Sequence, residues 1–487
     1  MKDKVIGRRD VLKGGGAALL TTVAALSGCK LSSSSKAPDD SSPTPPSGGT
    51  VPLPTTLSVT PANKSLVFVM LDGGQDSFNM LIPNSAADYN EYQAVRKGLA
   101  IPKNELLPLN GFTDARGKSF GLHPSAPELK TLFDQEKLAF VANIGPMTER
   151  LDRAKFLAGS ASLPVGLMSH SDQFKHWQTS NPGKRVNRGW FGDFADVIQP
   201  SKADNKISMN ISLAGSNIMQ NGKESTEYAV TKKGSVGLTI SSNDPAAPDA
   251  QLRNALKAGF ESMLSNNYAN APFQDRFLST VRSAQAQHQV FTDSISNIII
   301  NSNFSEHELS QQLKMVAKTI AARHRLGMNQ QTFFVRYIGW DHHDELLVNH
   351  KRMLAVLSKA LGEFQAALAN LGLEDEVVTF SGSDFGRTLT SNGNGSDHGW
   401  GGNTIVMGTP VKGGKVYGEF PSLALKSNLD AGDGIMIPTT STDQLYAELA
   451  MWFGVDKLAL PLLFPNISNF YDVRSSQAPL GMINGVV

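Results

Sequence analysis

Only one cysteine, Cys29, stands among 487 residues. One thiol closes no internal disulfide and supplies neither a thiolate zinc site nor an iron–sulfur cluster, so any metal the chain holds rests on His, Asp and Glu. Excess charge is equally absent. The 45 Lys and Arg are matched by 44 Asp and Glu, for a formal net charge of +1. No basic stripe carries interleaved aromatics, and together these exclude nucleic acid as a partner. After the N-terminal apolar stretch no run reaches transmembrane length. No internal repeat is present, and no G-x-S-x-G elbow follows a predicted strand, which disfavours a Ser/His/Asp esterase. What remains, 40% hydrophobic and 18% charged, is the composition of a globular chain large enough for one big domain or two.

The N-terminus reads as an address. Arg8-Arg9-Asp10-Val11-Leu12-Lys13 resembles a twin-arginine export signal, and the apolar stretch Gly14 to Ala25 that follows is too short to span a bilayer as a mature helix. Leu26-Ser27-Gly28-Cys29 resembles a bacterial lipobox, so residues 1–28 are expected to be removed and Cys29 to carry a lipid. The partners implied are the twin-arginine export machinery and, through the lipid, a membrane; the expected location is the periplasmic or cell-surface side of a bacterial membrane. Residues 29–56, rich in Ser, Pro, Gly and Asp, read as a flexible tether, and residues 57–487 as the globular part.

Continuous apolar runs predict buried strands at Ser65–Leu71, Leu138–Asn143, Thr332–Ile338, Val377–Phe380 and Thr404–Gly408. Apolar spacing of three and four predicts helices at Glu128–Phe133, Gln173–Gln178, Asp249–Asn266, Pro272–Ile299, Ser305–Leu326, Glu345–Leu371 and Thr442–Phe453. Short β-prone runs at Ile207–Leu213 and Val236–Ile240 mark residues 206–330 as a subsidiary segment. Strand-helix alternation of this kind predicts an α/β fold on a mainly parallel sheet.

Chemistry gathers at the strand ends, where open α/β sheets bind ligands. Asp72 ends the first run, Asp341 and His343 follow the run at Thr332, and Asp384 follows the run at Val377. Asp384 opens a glycine-rich stretch, Ser381 to Gly402, that also holds Arg387, Asp397 and His398. Alone, that stretch is either a ligand loop or a polar turn. Its partners at Asp72 and at Asp341 to His343 favour the ligand loop, because all five donors converge if the strands are parallel neighbours. Carboxylate and imidazole donors suit a divalent ion such as Zn²⁺, Mn²⁺ or Mg²⁺. His288, His307 and His324, on helices, read as surface or satisfied residues.

Several motifs occur in register: Leu-Asp-Gly-Gly from Leu71, GLHPSAPELK from Gly121, SHSDQFKHW from Ser169, GWDHH from Gly339, SDFGRT from Ser383 and DHGWGG from Asp397. Together they resemble the exported bacterial family catalogued as domain of unknown function 1501, placed with the alkaline phosphatase and sulfatase superfamily. The resemblance runs from about Leu66 to Asn466 and implies an alkaline phosphatase-like α/β fold, a mainly parallel central sheet flanked by helices. It implies a metal-dependent hydrolase of phosphate or sulfate esters, or a related phospho-transferase, acting on an anionic ester or glycan. The metal ligands it implies are Asp72, Asp341, His343, Asp384 and His398. Its nucleophile at a helix N-terminus falls on Ser169, with Ser77 and Thr388 as rivals; Arg387 is read as an anion clamp, and His170 or His123 as acid, base or substrate contact. Two positions depart from the pattern. His343 follows Asp341 by two residues instead of four, and Phe385 stands where an imidazole is expected, so a single ion, or a weakened second site, fits the ligand count better than a complete two-metal site. The missing imidazole also keeps open a non-catalytic surface module for an anionic glycan, lipid headgroup or partner protein.

Overall fold

The computed structural model describes residues 52–199, 207–237, 246–266 and 271–487. The signal, the lipobox with Cys29, most of the tether and the end of the Val236–Ile240 run lie outside the described residues. Among those described, no helix is long and apolar enough to cross a membrane.

A nine-stranded sheet forms the centre, with strands β1 (Lys64–Asp72), β2 (Leu138–Gly145), β3 (Asn210–Ser212), β4 (Tyr228–Ala229), β5 (Gln330–Ile338), β6 (Val377–Ser383), β7 (Gly402–Met407), β8 (Lys415–Tyr417) and β9 (Thr440–Ser441). Their spatial order is β8-β2-β7-β6-β1-β5-β3-β4, with β9 pairing β2. All pairings are parallel except those of β7. The apolar run Ser65–Leu71 is fully buried because β1 has a parallel neighbour on each side and packed faces above and below. The run at Ile207, expected as part of a subsidiary segment, instead supplies β3, which extends the central sheet beside β5.

Helices flank this sheet. Phe68, Phe334 and Phe380 stand side by side across β1, β5 and β6. Trp190 and Tyr446, from helices Trp190–Ile198 and Thr442–Phe453, pack on Phe380. Helix Leu346–Asn370 packs on helices Glu308–Ala321 and Pro127–Asp134, which reach β5 and β2. The predicted helices are present within a few residues of their expected ends.

Register positions the chemistry. Asp72 is level with Ile338 of β5, and Leu71 is level with Ser383 of β6. The segments 72–74, 339–344 and 384–401 therefore leave the sheet at one end, side by side. β7 runs back antiparallel from that end, so segment 384–401 never leaves it.

The buried Asp443 shows what this packing does to a charge. Its Oδ1 accepts a 2.5 Å hydrogen bond from Ser180 Oγ, and the Asn466 backbone also acts on the carboxyl. Burial pushes its carboxyl from the usual 3.8 up to about 7. The stability this protonated group contributes is present in full below about pH 4 and is lost as pH rises through its folded value, because the unfolded chain gives up the proton first. Asp443→Asn removes that loss. Urea midpoints of variant and wild type are expected to diverge in the variant's favour between pH 5 and pH 8, by an amount on the order of a few kcal/mol. Parallel pH profiles would contradict the assignment.

Candidate functional site

Two glycines weld the three loops together. Gly73, at φ 122°, lies so close to the next loop that a Cβ would stand 2.6 Å from the Asp341 nitrogen. A Cβ at Gly395 would stand 2.3 Å from the His343 carbonyl carbon. Only glycine allows both approaches. The Asp72 carbonyl accepts hydrogen bonds from Gly339 and Trp340, each at 3.1 Å.

Asp341 is the hub of what these loops present. Arg387 Nη1 donates to its Oδ1 at 2.8 Å, His343 Nε2 and His398 Nε2 lie 3.0 and 3.4 Å from the same oxygen, and His170 Nε2 lies 3.4 Å from Oδ2. His170 is the first residue of helix His170–Thr179. Among the described residues, the ligand atoms of His170, Asp341 and His398 lie within 4.8 Å of one another, close enough to hold one ion.

Each of the three imidazoles is anchored through its outer nitrogen. His170 Nδ1 bonds Asp384 Oδ2 at 2.6 Å, His343 Nδ1 bonds Asp397 Oδ1 at 3.1 Å, and His398 Nδ1 bonds the Met168 carbonyl at 2.9 Å. With Nδ1–H donated outward, Nε2 is the atom left facing Asp341, as in histidines that bind metal against a second carboxylate or carbonyl. His343 Nε2 and His398 Nε2 stand only 3.0 Å apart. Two lone pairs cannot face each other at that distance without a proton or a cation between them. The His170, Asp341 and His398 donors thus form one compact group, with His343 Nε2 3.0 Å from both Asp341 Oδ1 and His398 Nε2. The donor set fits one divalent ion.

Burial, foremost, pushes the His398 imidazole down to about 4, which leaves it neutral at physiological pH. The hydrogen bond that His170 donates to Asp384 holds the His170 pKa above its ordinary value, and burial raises that of Asp384; both shifts keep the proton that joins them. Burial also acts to raise Asp341, but the Arg387 hydrogen bond and charge outweigh it, and Asp341 ends below the usual carboxylate range. The buried Phe385 ring lies 4.8 Å from the His170 ring and 4.4 Å from the His398 ring, and forms one wall of the cluster.

The structure thus brings Asp341, His343 and His398 together and places Asp384 behind His170. Asp72 is ion-paired with Arg336, outside the His170–Asp341–His398 group, and its charge adds to the rise of the Asp384 carboxyl. Other expectations need correction. Arg387 is no free anion clamp: its side chain is 0% exposed, and its donors go to Asp341, Gly73 O and the Ser396 carbonyl. The hydroxyl of Ser169, at the N-cap, pairs with the Ser171 hydroxyl at 3.2 Å, and the side chain the helix start delivers to the cluster is His170. Ser77 Oγ is occupied by the Asn403 amide, and Thr388 Oγ1 by the Asp397 amide and the Thr390 carbonyl. His123 is buried beside His350, its Nδ1 accepting from Ser125. Sequence reasoning missed Met168, whose carbonyl aims His398; a backbone acceptor leaves no mark in the sequence.

A family profile described as a protein of unknown function, DUF1501, matches residues 63–457, most of the chain. The chain belongs to this family. No curated protein sequence matches it. Three solved structures to which this DUF1501 chain is similar are the C-terminal periplasmic domain of EcEptC from Escherichia coli in complex with Zn, the lipoteichoic acid synthase LtaP from Listeria monocytogenes, and the PsFucS1 sulfatase from Pseudoalteromonas sp.. The first is 9% identical, covering 89% of this chain and 96% of that one, with a TM-score of 0.33. The second is 10% identical over 79% and 78%, with a TM-score of 0.27. The third is 9% identical over 87% and 73%, with a TM-score of 0.28. At such scores these likenesses carry no weight for the chemistry, which rests on the cluster itself.

Proposed function

We propose that this DUF1501 protein is an exported, lipid-anchored, single-metal hydrolase of phosphate or sulfate esters. The observation that carries the reading is the convergence of three Nδ1-anchored imidazoles on Asp341. In it, His170, Asp341, His343 and His398 hold a divalent ion, Zn²⁺, Mn²⁺ or Mg²⁺. Such an ion supplies Lewis-acid polarisation of an ester oxygen. Arg387 fixes the Asp341 carboxylate, and Asp384 fixes the His170 ring. The Phe385 face excludes water from one side of the cluster. Ser169 Oγ pairs with the Ser171 hydroxyl, and in this reading the attacking group is water and not Ser169. The twin-arginine and lipobox motifs give the export route and the anchor at Cys29, and the substrate class is an anionic ester or glycan.

The same geometry carries an argument for the binding-module alternative, since the buried Phe385 ring stands against His170 and His398 where a further imidazole ligand is expected. Screening purified protein against aryl phosphates, phosphodiesters and sulfates, with and without chelator, separates the two. Chelator-sensitive turnover is expected; tight binding without turnover would favour the module. Ser169→Ala is expected to keep activity within about threefold, while His170→Ala loses on the order of 100-fold. The reverse order would make Ser169 the nucleophile.

A further inference from the structure

At the far end of helix His170–Thr179 the surface opens into a cavity of about 610 Å³. That volume is in the range of small-molecule sites and far larger than a bare anion needs. The loop that builds it is held at both ends. Ser180 sits at φ 49° with its hydroxyl on the buried Asp443, and Gly189 lies so close to the next segment that a Cβ would meet Met219 Cα at 2.4 Å.

Lys184, Arg185 and Arg188 line this cavity. Arg185 is turned by a two-point bond to Asp172, at 2.6 and 2.9 Å, which leaves its Nη1 free. Lys184 carries no ion pair among the described residues. Among the described lining residues Asp193 is the one carboxylate; burial pushes it up to about 6, and the Arg188 charge opposes that rise. Side-chain amides of Asn181 and Asn187 can donate and accept at once, as hydroxyl-rich ligands require, and Leu462 and Leu463 supply an apolar wall. Cations beside paired amides and an apolar wall match a sugar ring bearing an anionic substituent.

We infer that this cavity binds a sulfated or phosphorylated saccharide unit, and that it is a distal subsite for an anionic glycan whose ester enters the Asp341 cluster. The helix spans the two: from His170 to Thr179 it rises roughly 14 Å, and Arg185 reaches back along it to Asp172, two residues from His170. The subsite role rests on the hydrolase reading; the saccharide binding does not.

The test titrates the full chain with a singly sulfated disaccharide, its unsulfated counterpart and inorganic sulfate. The sulfated disaccharide is expected to bind at least tenfold more tightly than either. The Lys184→Glu/Arg188→Glu double variant should lose that binding at least tenfold, while keeping its melting temperature and the wild-type rate on a small aryl ester. No binding by the wild type, or equal binding by the double variant, overturns the site; equal binding of inorganic sulfate overturns the saccharide assignment. Binding of the disaccharide by a wild type that turns over no ester leaves the saccharide site standing and removes the hydrolase reading.

Discussion

Replacing Asp341 with alanine is expected to lower kcat/KM on an aryl phosphate or sulfate by at least 100- to 1,000-fold, the cost seen when a single preorganised electrostatic group is removed from a reacting centre. The reason is geometric. One carboxylate is shared by His170, His343, His398 and Arg387, at 2.8–3.4 Å. Without it the imidazoles lose the charge that gathers them. Metal affinity is expected to collapse in parallel, whereas the fold survives, because the Asp341 side chain is 44% exposed and water can take its place beside Arg387, which keeps the Gly73 and Ser396 carbonyls. Asp341→Asn separates charge from shape: it keeps the outline of the side chain and should lose nearly as much activity. His307→Ala serves as the control, since His307 caps helix Glu308–Ala321 and stands outside the cluster. Wild-type turnover in Asp341→Ala would remove the cluster from the chemistry.

The second large effect is on stability. Asp76 and Arg96 form an ion pair with both side chains 0% exposed. Arg96 also donates to the carbonyls of Thr388 and Leu389, which ties helix Ala86–Arg96 to the strand carrying Arg387. Burial raises the Asp76 carboxyl, and the charge of Arg96 opposes it. Asp76→Ala strands a guanidinium in the interior, and a broken buried pair of this kind costs about 3–5 kcal/mol. Replacing both residues with leucine should cost far less, because no buried charge is left behind. Urea unfolding measures both. A single-variant loss under about 1 kcal/mol would mean that water reaches Arg96.

Much of this architecture was legible in the chain. The runs at Ser65, Thr332 and Val377 read as buried parallel strands because they are apolar without alternation, and their register does place Asp72, Asp341 and Asp384 at one sheet end. What could not be read depends on contacts between distant segments. Arg387, in a glycine-rich polar stretch, reads as exposed; its burial depends on the Gly73 and Ser396 carbonyls, which sequence does not display. Whether Ser169 or His170 meets the cluster is a matter of one residue at a helix start, finer than periodicity resolves. β3, three residues within a β-prone run, is too short to reveal that it joins the central sheet beside β5, and β7 reads as apolar without revealing that it runs antiparallel.

The central claim is that the cluster around Asp341 holds one catalytic divalent ion. Metal analysis of the chain purified from its native compartment without chelators tests it most directly, with Asp341→Ala alongside. About one equivalent of Zn, Mn or Mg per chain, absent from the variant and required for ester hydrolysis, is the predicted result. Full ester hydrolysis by protein that carries no divalent metal would contradict it.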